Sequence, residues 1–139
     1  MGWKMGILWL LVVLVLLGMA YVRLAPSQVA RWHVAPVGDA NKDFKRGALR
    51  VVETGPDGLA RFDAIARAAP RTQVLAGSVA EGMATYVTRT RMMGFPDYTT
   101  AAQDGDTLRI VARSRFGRSD LGVNRKRLEG WLNRLQAGG

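Results

Sequence analysis

The chain has 139 residues and carries 20 Lys and Arg against 11 Asp and Glu, a formal net charge of +9. It holds no cysteine and one histidine, which rules out disulfides and thiolate metal centres and leaves a histidine site without partner ligands. A chain of this length allows one domain of ordinary size, and its opening residues are too apolar to be part of it.

The opening, "MGWKMGILWLLVVLVLLGMAYV", has Lys4 and then no charge until Arg23. Met5 to Val22 as a helix would measure roughly 27 Å at ~1.5 Å per residue, close to the ~30 Å hydrocarbon core of a bilayer. Trp3, Trp9, Tyr21 and Trp32 lie around its ends, where amphipathic rings favour the headgroup zone. Gly18-Met19-Ala20 also offers the small residues of a signal-peptidase site. The uninterrupted apolar length favours an uncleaved single-pass anchor over residues 1–23. Lys4 and the α-amine favour a cytoplasmic N-terminus; Arg23, Arg31 and Lys42 oppose it. The very short leading tail decides for a domain outside the cytoplasm. Setting residues 1–23 aside removes only Lys4 and Arg23 from the charges, so the remainder keeps a net +7. Such a balance attracts anionic lipid or an acidic partner. The span argues against nucleic acid.

Residues 24–47, with Pro26, Pro36, Gly38 and Gly47 and no sustained periodicity, read as an extended connector. His33 within it is expected to be an ordinary packed or surface imidazole beside Trp32. The remainder, 48–139, reads as a domain. "ALRVVET" is a strand from Ala48 to Glu53, ended by the turn "GPDG". "LARFDAIARAA" places Leu59, Phe62, Ile65 and Ala66 at helical spacing before Pro70. Two strands follow around Glu81-Gly82, then two around Asp104-Gly105-Asp106, a hairpin signal. From about Asn124 to Gln136, Leu128, Trp131, Leu132 and Leu135 form the apolar stripe of a closing helix. Period-two alternation turns Leu108, Ile110, Ala112 and Phe116 towards that helix and Arg109, Arg113 and Arg115 away. The expected fold is α+β: a curved antiparallel sheet of four to five strands, in the order β-α-β-β-β-β-α, packed on the C-terminal helix. TATA-binding-protein-like and reduced helix-grip folds share that order, which by itself implies no function.

"RSRFGRSDLGVNRKRL", residues 113–128, gathers Arg113, Arg115, Arg118, Arg125, Lys126 and Arg127 around Asp120. Three of these cations crowd a helix N-terminus, where the dipole disfavours positive charge. Asn124 is expected to cap that helix, Glu129 to reach Arg125 or Lys126, and Arg127 to lie over Trp131. Arg89 and Arg91 share one strand face, Arg113 and Arg115 another, with Asp97 and Asp120 as counter-charges. Arg89, Arg91, Asp97, Arg113, Arg115, Arg118, Asp120, Asn124, Arg125 and Arg127 are therefore the candidate set, either an anion-binding site or a structural Arg–Asp network. So many guanidiniums should depress the two carboxyls, which disfavours a general acid. There is no metal-ligand spacing, no histidine beside a nucleophile and no phosphate loop. No enzyme activity, metal or cofactor is expected.

"TRMMGFPD" and "RSRFGRSDLGVNRKRLEGWLNRL" resemble the signature of a bacterial and plastid family, domain of unknown function 1499. The matching positions are Phe95-Pro96-Asp97, Arg113-Ser114-Arg115, Gly117, Ser119-Asp120, Gly122, Asn124 and Arg127. The likeness is specific over 89–135 and looser over 48–88, and "RLAPSQVARWHVAP" is similar to the connector of membrane-anchored Gram-negative members. The resemblance implies a small domain of unassigned activity, often behind an N-terminal apolar segment and on the periplasmic or lumenal side. It thus points to the inner membrane with the domain in the periplasm.

Three functions are compatible with these residues. The leading one is a non-enzymatic membrane protein whose basic domain binds a lipid headgroup or acidic partner. The alternatives are an accessory subunit of a larger membrane complex, and a small-ligand carrier or enzyme with a pocket between sheet and last helix.

Overall fold

A computed structural model of the chain describes residues 2–138. The α-amine invoked above for topology lies outside them. A first helix, α1 (Trp3–Leu24), carries the apolar run and has no buried residue. At about 1.5 Å per residue it is ~33 Å long, enough to cross a hydrocarbon core. A short helical turn, α2 (Val29–Trp32), and a three-residue strand, β1 (Lys42–Phe44), follow within the connector. The domain then runs β2 (Gly47–Glu53), α3 (Gly58–Ala68), β3 (Thr72–Ser78), β4 (Met83–Arg89), β5 (Pro96–Asp104), β6 (Thr107–Ser114) and α4 (Val123–Ala137).

The strands form one sheet in the order β1-β2-β6-β5-β4-β3, each pair antiparallel. The α+β arrangement is the expected one, with six strands in place of four or five. The additional strand is β1. Its three exposed residues show no burial alternation, so only pairing with β2 reveals it.

Alternation along β6 decides the layering. Leu108, Ile110 and Ala112 are buried beneath the helices with Ala48, Ala84, Tyr86 and Ala101 from neighbouring strands. Leu59, Phe62 and Ala66 of α3, with Leu128, Trp131, Leu132 and Leu135 of α4, complete that core. Trp131 meets Phe62 edge-on at 5.7 Å between centroids. Phe116 departs from the expected pattern. It lies beyond the end of β6, where period two no longer holds, and packs against Tyr21 and Phe95.

The connector covers the opposite face of the sheet. Ser27 Oγ bonds Tyr98 Oη at 2.6 Å, His33 Nδ1 bonds Thr85 Oγ1 at 2.8 Å, and the buried Trp32 ring stacks on Tyr98 at 4.0 Å. Gly38 then turns the chain back towards β1. Its φ of 138° lies in the region that favours glycine, and a Cβ there would sit 2.6 Å from Leu49 Cδ2.

Trp131 is nearly enclosed, so Trp131→Ala should cost about 3–5 kcal/mol through lost packing and a residual cavity. Chemical denaturation of the full chain in mild detergent measures this; a loss below ~1 kcal/mol would show that the site collapses freely.

Candidate functional site

The first residues of β5, the last of β6 and the first turn of α4 meet at one corner. Asp97 and Ser114 are register partners on the helix-covered face. Ser114 Oγ donates to Asp97 Oδ1 at 2.9 Å, and Arg127 Nη1 donates to Asp97 Oδ2 at 3.1 Å. Asn124 is fully buried on the first turn of α4. Its Nδ2 donates to Ser114 Oγ at 2.9 Å and to Asp120 Oδ2 at 3.0 Å, while its Oδ1 accepts from Arg127 at 3.0 Å. Asp120 closes the arrangement by accepting from the backbone N–H groups of Gly122 at 2.9 Å and Asn124 at 3.1 Å.

Asp120, rather than Asn124, is thus the residue that caps α4. A carboxylate beside free N–H groups also complements the positive end of the helix dipole. Glu129 bonds Arg50 at 3.0 Å instead of Arg125 or Lys126, and Arg127 turns to Asp97 instead of Trp131. The expected depression of Asp97 is reversed. Burial pushes its carboxyl above the ordinary carboxylate range, and the opposing pull of Arg127, Ser114 and Asn124 does not restore it. Ser114, given no role from sequence, proves central because period two points it at Asp97.

A family profile for a protein of unknown function (DUF1499) matches residues 24–135. The chain belongs to this family. No curated protein and no solved structure matches it. The DUF1499 match begins at the connector, in keeping with the connector's packing on the sheet.

The remaining signature cations do not join the cluster. Arg113 lies on the other face of the sheet, where its guanidinium donates to the Trp32 carbonyl and to Thr100 Oγ1 and sits over the Trp32 ring at 5.4 Å. Burial lowers its pKa, yet it stays cationic at physiological pH. Arg115 donates to the Pro26 carbonyl at 3.1 Å, and Arg89 donates to the carbonyls of Val22 at 3.2 Å and Gly94 at 3.0 Å. Arg125 approaches Asp43 at 3.6 Å. Arg91 and Arg118 are exposed. The expected convergence of arginines on Asp97 and Asp120 is therefore confined to Arg127. Arg125, on α4, turns to Asp43, and the others bond backbone carbonyls or face solvent because they stand on loops or on the opposite sheet face.

Antiparallel pairing gives this DUF1499 sheet two ends. The proximal end carries the loops 45–46, 69–71, 90–95 and 115–122, with Lys45, Arg46, Arg71, Arg91, Arg115 and Arg118 and a single acid, Asp120. The distal loops 54–57, 79–82 and 105–106 carry Asp57, Glu81 and Asp106 and no Lys or Arg. The proximal end is also where α1 arrives. Arg23 donates to the carbonyls of Met92 at 3.0 Å and Met93 at 3.4 Å, and Tyr21 meets Phe116 at 6.3 Å. Sequence reasoning missed this polarity because it requires the strand directions. Alternate turns, counted along the chain, would have carried the signal.

Removing the Arg127 guanidinium leaves a buried carboxylate unpaired. Arg127→Leu should cost about 3–5 kcal/mol in chemical denaturation, and a loss under ~1 kcal/mol would refute a structural pair. Asp97 binds its proton more tightly folded than unfolded. Its favourable contribution is complete below the ordinary value of 3.8 and is lost as pH rises through the raised folded value. The wild type should therefore lose stability relative to Asp97→Asn as pH rises above the ordinary value of 3.8. A stability difference that stays flat as pH rises from there contradicts the raised carboxyl.

Proposed function

We propose that the protein is a non-enzymatic, single-pass inner-membrane protein whose periplasmic domain rests its proximal end on the bilayer and binds anionic headgroups there. The observation that carries this reading is the coincidence of the cationic loops with the docking place of α1. If α1 spans the membrane, the loops packed on its last turn lie at headgroup depth. Near an anionic surface each Lys or Arg contributes about 1 kcal/mol. The six proximal loop cations would thus orient the domain firmly, and the acids of the distal loops would be repelled from the same surface.

Apolar side chains among these cations support the same placement. Met92 is 83% and Leu121 87% exposed. Leu121 also holds φ at 54°, an uncommon conformation for a bulky residue. Neither the strain nor the exposure serves the core, whereas an interfacial surface would take up both side chains beside their arginines. The signature cluster supports a structural role, since its polar atoms are engaged with one another, and leaves binding to the loops around it.

The absence of native cysteine makes a depth measurement direct. Full-length chain carrying bimane at Met92→Cys, Leu121→Cys or Asp106→Cys would be placed in nanodiscs containing spin-labelled lipid. Met92 and Leu121 should be quenched strongly and Asp106 weakly. Exchanging anionic for neutral lipid, or replacing Arg46, Arg91 and Arg118 together by Glu, should reduce the quenching at Met92 and Leu121. Equal quenching at the two ends of the domain would overturn the reading.

A further inference from the structure

The connector and β1 leave a groove of about 510 Å3 between them on the outer face of the sheet. Arg31, Lys42 and Arg113 line it together with Val34, Phe44 and Val111, and among the described residues no carboxylate does. Those three cations also form no ion pair among the described residues. This sets them apart from Arg50, Arg109 and Arg127, which all have carboxylate partners. Clustered positive charge without counter-charge favours the arrival of an anion, and at the half-buried Arg113 only neutral acceptors, the Trp32 and Val111 carbonyls and Thr100 Oγ1, meet the guanidinium.

The apolar part is equally uncompensated. Val34 is 51%, Val37 87% and Phe44 41% exposed along the same groove. Its two ends differ. Arg31 and Arg113 lie over the Trp32 ring at 5.0 and 5.4 Å, on the proximal side. On the far side the Gly38 turn lies close to Leu49, near enough that a Cβ at Gly38 would meet Leu49 Cδ2. We infer that this groove binds a single-chain anionic amphiphile, its carboxylate or phosphate at Arg31 and Arg113 and its alkyl chain along Val34 and Val111 towards the Gly38 turn. The volume falls in the ~300–1,000 Å3 range of small-molecule sites, and charge and apolar surface match the two halves of such a ligand. The inference rests on the membrane reading above only for the source of the ligand.

A palmitate analogue with a diazirine at its terminal carbon tests this on the full chain in neutral phosphatidylcholine nanodiscs, where no anionic headgroup competes. Photolabelled peptides should map to 31–37 and 42–49. Excess palmitate or palmitoyl-lysophosphatidate should displace the label, and hexadecanol, which lacks the charge, should not. Displacement by palmitate alone assigns a carboxylate head and by the lysophosphatidate alone a phosphate head, and either supports the site. Arg31 and Lys42 are exposed, so Arg31→Glu with Lys42→Glu should leave the circular dichroism unchanged and cut labelling at least tenfold. Label confined to α1, equal displacement by hexadecanol, or unchanged labelling in the double variant would overturn the site. The quenching at Met92 and Leu121 is independent of these outcomes, so failure of the groove and failure of the membrane seating are told apart.

Discussion

The Asp97–Arg127 pair fixes the corner from which the rest of the domain is organised. Taking a carboxylate out of water costs several kcal/mol, and the cost is offset only if its oxygens are met by well-placed donors. Ser114 meets one and Arg127 the other, so β5, β6 and α4 are held in one relation. Asn124 extends the constraint to Asp120, and Asp120 shapes the loop that precedes α4. Gly122 at φ 79° begins the helix from there, with Leu121 forced outward beside it. A displaced Asp97 would therefore loosen the loop that presents Arg118 and Leu121, although it touches neither.

The other face of the sheet is governed by Trp32. Its ring stacks on Tyr98, and its carbonyl accepts from both Thr100 and Arg113. Through these bonds the connector becomes a third layer rather than a tether. Ser27 and Pro26 are tied to Tyr98 and Arg115, and Val22 to Arg89, so the end of α1 is attached at several points. Rigid attachment would matter to the membrane seating proposed above. A flexible link would let the basic end turn away, and the charge distribution would then have no consequence for orientation.

Period and punctuation made most of the fold legible. The stripe of Leu128, Trp131, Leu132 and Leu135, the Asp104-Gly105-Asp106 turn and the alternation through Leu108, Ile110 and Ala112 all carry local signals, and each corresponds to an element. β1 lacks one, since pairing alone defines it. The site was legible only in part: of the ten candidates Asp97, Asp120, Asn124 and Arg127 share one cluster, while Arg89, Arg91, Arg113, Arg115, Arg118 and Arg125 lie apart from it. Asp97, Asp120, Asn124 and Arg127 stand where their spacing implied, yet the cap passed to Asp120 and Glu129 went to Arg50. Such choices depend on which side chains reach across the sheet. Arg50 had left a trace, as a charge alternating with the apolar Ala48 and Val52 on a covered face. The Trp32 layer left none, because nothing in "VARWHV" says which face of which sheet it will cover.

The internal network also accounts for the field outside it. The proximal end contains carboxylates, but Asp97 is buried against Arg127 and Asp120 is turned onto the N–H groups of α4. Neither is left to neutralise the loop cations, and the positive end of the α4 dipole points the same way. At the distal end the loop acids have no loop cation beside them. The same residues that close the core therefore separate the charge along the strand axis. A purely apolar corner in place of Asp97, Ser114, Asn124 and Arg127 could pack as well, but it would not position Asp120 as a cap. The cation-rich loop would then lose both its shape and the sink for its only acid. Fold and electrostatic polarity are thus coupled through one side-chain cluster, and a substitution there changes both together.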